Sequence, residues 1–307
     1  MLVRTRSRWL PVQALLLLAL ALTAALLATP ATATPLGLGE ARGAEWTLGS
    51  QPCRLIGVPA ASPAGLLPSA TPVGRGGCQG VRPGAIVKTD NGQCSFNFLF
   101  IGTDKKTKKQ TRYMGTAGHC VLLQGAADEL TTPPPSEKLY RLGRGPAAMD
   151  SSGRRIGEFA YAVLADPKDF ALIRLDDGVQ ASPQMCSWGG PTGINTDRPP
   201  NSQTVKLRQY GQGLLISTVA PARTLTARGM PDRDHVFATG VVLPGDSGSG
   251  VTSADGRAVG VAVTVGLNMA GLGDSGTVGI TRLQPQLDRA GRELGQDLKL
   301  VTAPQLR

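Results

Sequence analysis

The stretch "CSFNFLFIG" (94–102) decides the class of architecture. Alternate side chains of an extended chain point to opposite faces, so Phe96, Phe98 and Phe100 share one face and Leu99 and Ile101 the other. Apolar residues on both faces suit a strand that lines a closed barrel and is covered by a second layer. The same texture runs through "TRYMGTAG" (111–118), "RIGEFAYAVL" (155–164) and "DFALIRL" (169–175). It resumes in "TVKLRQYG" (204–211), "GLLISTVA" (213–220), "RTLTARG" (223–229), "HVFATGVVL" (235–243), "AVGVAVTVG" (258–266) and "TVGITRL" (277–283). Many short strands with Gly-rich turns predict an all-β chain. The loop-rich "CSWGGPTGINTDRPPNS" (186–202) divides them into two clusters, hence two antiparallel barrels. In "RLQPQLDRAGRELGQDLKL" (282–300), Leu283, Leu287, Ala290, Leu294 and Leu298 recur at helical spacing, which predicts a closing α-helix.

The beginning of the chain reads differently. Arg4, Arg6 and Arg8 precede the apolar "ALLLLALALTAALLA" (14–28) and the small residues "ATA" (31–33), the pattern of an export signal over 1–33. A membrane anchor is the alternative, because Leu10–Ala28 is just long enough to span a tilted path; the Ala-x-Ala site and the Pro30/Pro35 pair favour cleavage. No later run approaches spanning length, so no stable membrane association is expected afterwards. Residues 34–83 carry proline every few positions without periodicity, and read as an extended arm or a pro-segment. The remaining boundaries are a first barrel over 84–180, a second over 181–283, and a C-terminal helix and tail over 284–307.

Charge and cysteine content narrow the function classes. The net charge is +10, and the three leader arginines account for three of these. No basic stripe is interleaved with aromatics, which argues against nucleic acid. The dense run "DKKTKKQTR" (104–112) sits between apolar segments and reads as a solvated hairpin tip. Export puts Cys53, Cys78, Cys94, Cys120 and Cys186 in an oxidising compartment where bridges persist. Five is odd, so at least one thiol is left over. With no Cys-x-x-Cys and only His119 and His235, neither a metal nor another cofactor is expected.

Three short motifs carry the chemistry. "GTAGHC" (115–120) sets His119 at a strand end among small residues. "DFALIRL" places Asp169 at the mouth of an apolar strand. "LPGDSGSGV" (243–251) sets Ser247 in a glycine-rich turn. Each alone has an ordinary structural reading: a core histidine, a strand-end cap, a turn. Their joint occurrence in the order His, Asp, Ser, in an exported β-protein, does not.

These three motifs resemble the active-site motifs of the chymotrypsin-like serine peptidases, in particular their secreted bacterial and actinobacterial members, over roughly 84–283. The resemblance implies two six-stranded antiparallel β-barrels, a cleft between them, and a C-terminal α-helix. It implies that Ser247 is the nucleophile, that His119 takes and returns its proton, and that Asp169 orients the imidazole. It implies an oxyanion hole from the N–H groups of Gly245 and Ser247, and a Cys94–Cys120 disulfide pinning the histidine loop. Asp246 would be buried in an ion pair with a partner the sequence leaves open. Cys186 can pair with Cys53 or Cys78. The expected partners are polypeptide substrates, acted on by a monomer outside the cell.

Some features depart from the family. No "IVGG"-like start is present, so activation by a newly cut N-terminus is not expected. Ser249 replaces the third glycine of a "GDSGG" pattern. Val241 stands six residues before Ser247, where trypsin-like members carry an acidic pocket floor; it either lines a neutral specificity pocket or simply packs a strand. Two other classes compete. An α/β-hydrolase needs G-x-S-x-G and a histidine after the serine, and no histidine follows residue 247. A catalytically silent binding protein on a peptidase fold would be expected to have lost one of the three residues, and all three are present.

Overall fold

The computed structural model describes residues 78–123, 135–165, 167–213, 221–266 and 277–306. The export signal, Cys53, most of the 34–83 segment and the strand expected at 213–220 (from residue 214 on) lie outside these residues.

The described residues of the first half of the chain hold eight strands. They are β1 (Ile86–Thr89), β2 (Gly92–Ser95), β3 (Leu99–Asp104), β4 (Gln110–Thr116), β5 (Ser136–Leu139), β6 (Ala147–Met149), β7 (Arg155–Ala165) and β8 (Lys168–Leu175), with the one-turn helix α1 (His119–Leu122) after β4. The second half holds β9 (Thr204–Tyr210), β10 (Ala222–Arg228), β11 (His235–Thr239), β12 (Gly250–Ser253), β13 (Ala258–Gly266) and β14 (Thr277–Arg282). Helix α2 (Leu283–Leu294) and strand β15 (Gln296–Leu300) follow. Strands β9 to β14 close a six-stranded barrel in the order β10-β11-β14-β13-β12-β9. The other nine form one sheet, ordered β15-β3-β4-β8-β7-β6-β1-β2, with β5 added beside β7.

The nine-stranded sheet is a curled one, and its curl corrects the expectation of a single strand over 94–102. Before the bend, Phe96 N–H donates to Ala85 O at the foot of β1 (2.9 Å); after it, Asn97 N–H donates to Gly115 O of β4 (2.8 Å). At the bend Asn97 Oδ1 accepts from Phe98 N–H (2.7 Å), a local bond that competes with the ladder. One run of chain therefore supplies β2, at one end of the sheet, and β3, beside the other. The covalent chain completes the ring where no further ladder does.

The expectation that both faces of this run are covered holds: Phe96, Phe98, Leu99 and Phe100 are fully buried. Phe100 meets Phe170 edge-on, with centroids 6.2 Å apart. Phe98 reaches across to the barrel, where a Cβ on Gly250 would lie 2.7 Å from its ring. The basic run forms the β3–β4 turn, as expected. Asp104 accepts there from the N–H groups of Lys106 and Thr107, and these bonds hold its carboxyl below the usual range.

Helix α2 buries Leu283, Leu287 and Ala290 and accepts Pro285 in its first turn, where the missing N–H costs no bond. Its predicted extent is too long. Gly295 takes a left-handed conformation (φ 66°) and its N–H caps Arg292 O, the usual way a helix stops at glycine. Leu298 lies instead in β15, opposite Gly102 of β3, so the C-terminal segment joins the first sheet. Among the described residues two disulfides are present, Cys94–Cys120 and Cys78–Cys186. Their separations of 26 and 108 residues correspond to about 3.5 and about 5 kcal/mol of lost unfolded-chain entropy. The second staples the end of the 34–83 segment to the stretch before the barrel. Among the described residues no helix is long and apolar enough to cross a membrane.

Candidate active site

His119 opens α1 at the end of β4, and Asp169 stands near the start of β8. The two approach because Gly118 carries no side chain: a Cβ there would collide with Val163 O of β7. His119 Nδ1 lies 2.7 Å from Asp169 Oδ2, and the backbone N–H of His119 donates to Asp169 Oδ1 (3.0 Å). One carboxylate thus holds both the ring and the main chain of the same residue. With Nδ1 facing a carboxylate, the favoured neutral tautomer carries its proton there and its lone pair on Nε2. Both side chains are largely buried, each 11% exposed.

Ser247 lies in the turn between β11 and β12. Gly245 (φ 92°) and Gly248 (φ 87°) adopt the left-handed region that only glycine enters cheaply. Gly248 is also the point of contact with the histidine loop. A Cβ on it would meet Thr116 Oγ1 and lie 2.6 Å from Ser95 O and 2.8 Å from Ala117 N. Ser247 O accepts from Ser95 N–H (2.8 Å), and Gly245 O accepts from Ser95 Oγ (2.8 Å). Ser95 follows Cys94, which the disulfide ties to Cys120 next to His119. The serine turn thus packs on Ser95, Thr116 and Ala117, the backbone that leads into the loop carrying His119.

The backbone donors of the turn divide into two sets. Those of Asp246, Gly248 and Ser249 donate to Leu243 O, Ala262 O and Asp246 O at 2.8–3.0 Å. Those of Gly245 and Ser247, the pair expected to face an oxyanion, bond no acceptor among the described residues.

The partner of Asp246, open in the sequence, is Arg223 of β10, at 2.8 Å with side chains 0% and 8% exposed. Asp246 Oδ1 also accepts from Gly213 N–H and Oδ2 from Leu243 N–H, both 2.8 Å. The sequence offered no signal for Arg223, since β10 reads as an ordinary alternating strand. Cys186 takes Cys78, and Cys94 takes Cys120 as the resemblance implied. Cys94, His119 and Cys120 form the one cluster of metal-ligating type among the described residues, and its two sulfurs are bonded to each other. Val241 neither packs a strand nor lies buried: it is 47% exposed beyond the end of β11.

Solved structures similar to this chain include Thermobifida fusca Protease A (17% identity, TM-score 0.46, covering 72% of this chain and 98% of that one). Cellulomonas bogoriensis chymotrypsin (18%, TM-score 0.46) and Nocardiopsis protease (16%, TM-score 0.45) have the same coverage, 72% and 98%. No family model and no curated protein matches the chain.

Proposed function

We propose that the chain is a secreted serine endopeptidase. The observation that carries this reading is the His119–Asp169 contact of 2.7 Å beside a Ser247 turn packed on the same loop through Gly248. Serine at its own pKa is a weak nucleophile and needs an adjacent base. His119, oriented by Asp169, accepts the proton of Ser247 Oγ as the Oγ–carbonyl bond forms. The N–H groups of Gly245 and Ser247 receive the negative charge on the carbonyl oxygen; one such donor contributes about 3 kcal/mol to the transition state. His119 then gives its proton to the departing amine, leaving an acyl-enzyme. Water, deprotonated by the same imidazole, releases the acid and restores Ser247.

The leader pattern over 1–33 and two disulfides support action outside the cell. On this reading 34–83 is an arm or pro-segment whose end stays attached through Cys78, and the protein works on polypeptides as a monomer, without a cofactor. The test is cleavage of an unfolded protein such as reduced casein by the matured chain. Hydrolysis by the native protein, abolished in Ser247→Ala and fading on acidification as the imidazole takes up a proton, supports the reading. Full activity in Ser247→Ala overturns it, and a folded native protein that cleaves nothing favours the silent binding protein.

A further inference from the structure

Ser249 departs from the glycine expected after Ser247-Gly248, and the structure gives that departure a use. Its side chain is fully buried, and its Oγ accepts from Gln209 Nε2 at 2.8 Å. Gln209, also fully buried, turns its Oε1 to Arg223 Nε at 3.0 Å. Arg223 in turn pairs with Asp246. Gln209 and Arg223 stand directly opposite each other in the β9–β10 ladder, and Gln209 faces Val251 of β12 on its other side.

The polarity of this chain of bonds is forced from one end. A guanidinium only donates, so Gln209 must present its oxygen to Arg223 and its NH₂ to position 249. Position 249 must then offer an acceptor in a site closed to water. Serine does; glycine would leave the amide unmet. The relay starts at Asp246 and ends at Ser249, the residues on either side of Ser247-Gly248.

We propose that Gln209 and Ser249 are positioning residues for the nucleophile turn: with Arg223 and Asp246 they clamp it on both sides of Ser247, and so aim the Gly245 and Ser247 N–H groups. The proposal rests on the peptidase reading above.

The test compares the native full chain with Ser249→Ala, Gln209→Leu and the double variant, with each rate divided by the amount of titratable active site. Either single change should lower kcat on a peptide amide about 10-fold, with KM within about twofold. Affinity for a peptide boronate, a tetrahedral mimic, should fall by the same factor as kcat. The double variant should lose no more than Gln209→Leu alone, because the acceptor has no use once its donor is gone. Amide exchange over 243–249, read by mass spectrometry, should quicken in Ser249→Ala whatever the activity. Native kcat, boronate affinity and exchange in Ser249→Ala overturn the proposal while leaving the peptidase intact. A native protein that neither cleaves peptides nor reacts with a fluorophosphonate overturns the peptidase reading, and this proposal with it.

Discussion

The two halves of the molecule are held together by different means. The curled sheet that carries His119 and Asp169 is packed with rings: Phe96, Phe98, Phe100, Tyr113, Phe159, Tyr161 and Phe170 all lie in its core. Among the described residues the closed barrel that presents Ser247 has a smaller aliphatic core of Leu207, Leu225, Met230, Val236, Val251, Val259, Val278, Ile280 and alanines, while Tyr210 of β9 packs with the core of the sheet. Beside that core, under the nucleophile turn, stand Arg223, Gln209, Asp246 and Ser249. Hydrocarbon packing is strong but indifferent to small rotations, whereas a buried hydrogen-bonded network is directional and costly to leave half made. On the proposed function, the His119–Asp169 pair needs one short contact, which a stiff packed sheet and a disulfide can hold. The proposed oxyanion donors need several backbone groups aimed at one point, which calls for directional bonds.

That contrast can be broken at graded positions. The largest effect belongs to the chemistry itself: Ser247→Ala and His119→Ala should each lower kcat by about 10⁴-fold or more, with native unfolding curves. Next comes Phe98→Ala, which removes a ring wedged between the sheet and Gly250. It should destabilise by about 4 kcal/mol in denaturant unfolding while the folded fraction keeps its kcat. Arg223→Met should cost about 3–4 kcal/mol, because it strands the Asp246 carboxylate in a dry site. Unlike Phe98→Ala it should also depress kcat of what remains folded. If the two variants show the same ratio of stability loss to kcat loss, the division of labour between packing and network is wrong. Ile280→Val in the barrel core should cost only about 1 kcal/mol.

The smallest effect lies at the seam between sheet and helix. Arg289 of α2 pairs with Glu137 of β5, which also accepts from Tyr161 Oη (2.6 Å). The Arg289 guanidinium holds the Glu137 carboxyl below its ordinary value of 4.5. A depressed carboxylate stabilises the fold fully above its unfolded value, and that contribution vanishes as pH falls through the lower, folded one. Glu137→Gln should therefore destabilise at neutral pH by under about 1 kcal/mol, the pair being near the surface. The difference from the native protein should shrink as unfolding is measured at progressively lower pH below about 4.5.

Much of this was legible in the sequence because it is local. Alternation marked most of the strands, and three short motifs singled out His119, Asp169 and Ser247 as candidates. What escaped was either short and polar or a matter of register. Strand β5, "SEKL" (136–139), is mostly exposed and has no apolar face to signal it. Leu298 fits the helical period, and only Gly295 marks the stop. Arg223 and Gln209 become opposite partners through β9–β10 pairing, 14 residues apart, and no spacing rule announces that a buried arginine will meet Asp246. The bend at Asn97 is a single side-chain bond inside an otherwise uninterrupted apolar run.

Peptide hydrolysis by this protein requires Ser247 to be an activated nucleophile. The most direct measurement is mass-spectrometric mapping of the adduct formed when the matured protein is treated with a fluorophosphonate. One adduct per molecule on Ser247, lost in His119→Ala, is the predicted result. A folded protein that takes no label, or takes it on another serine and keeps it in His119→Ala, contradicts the account.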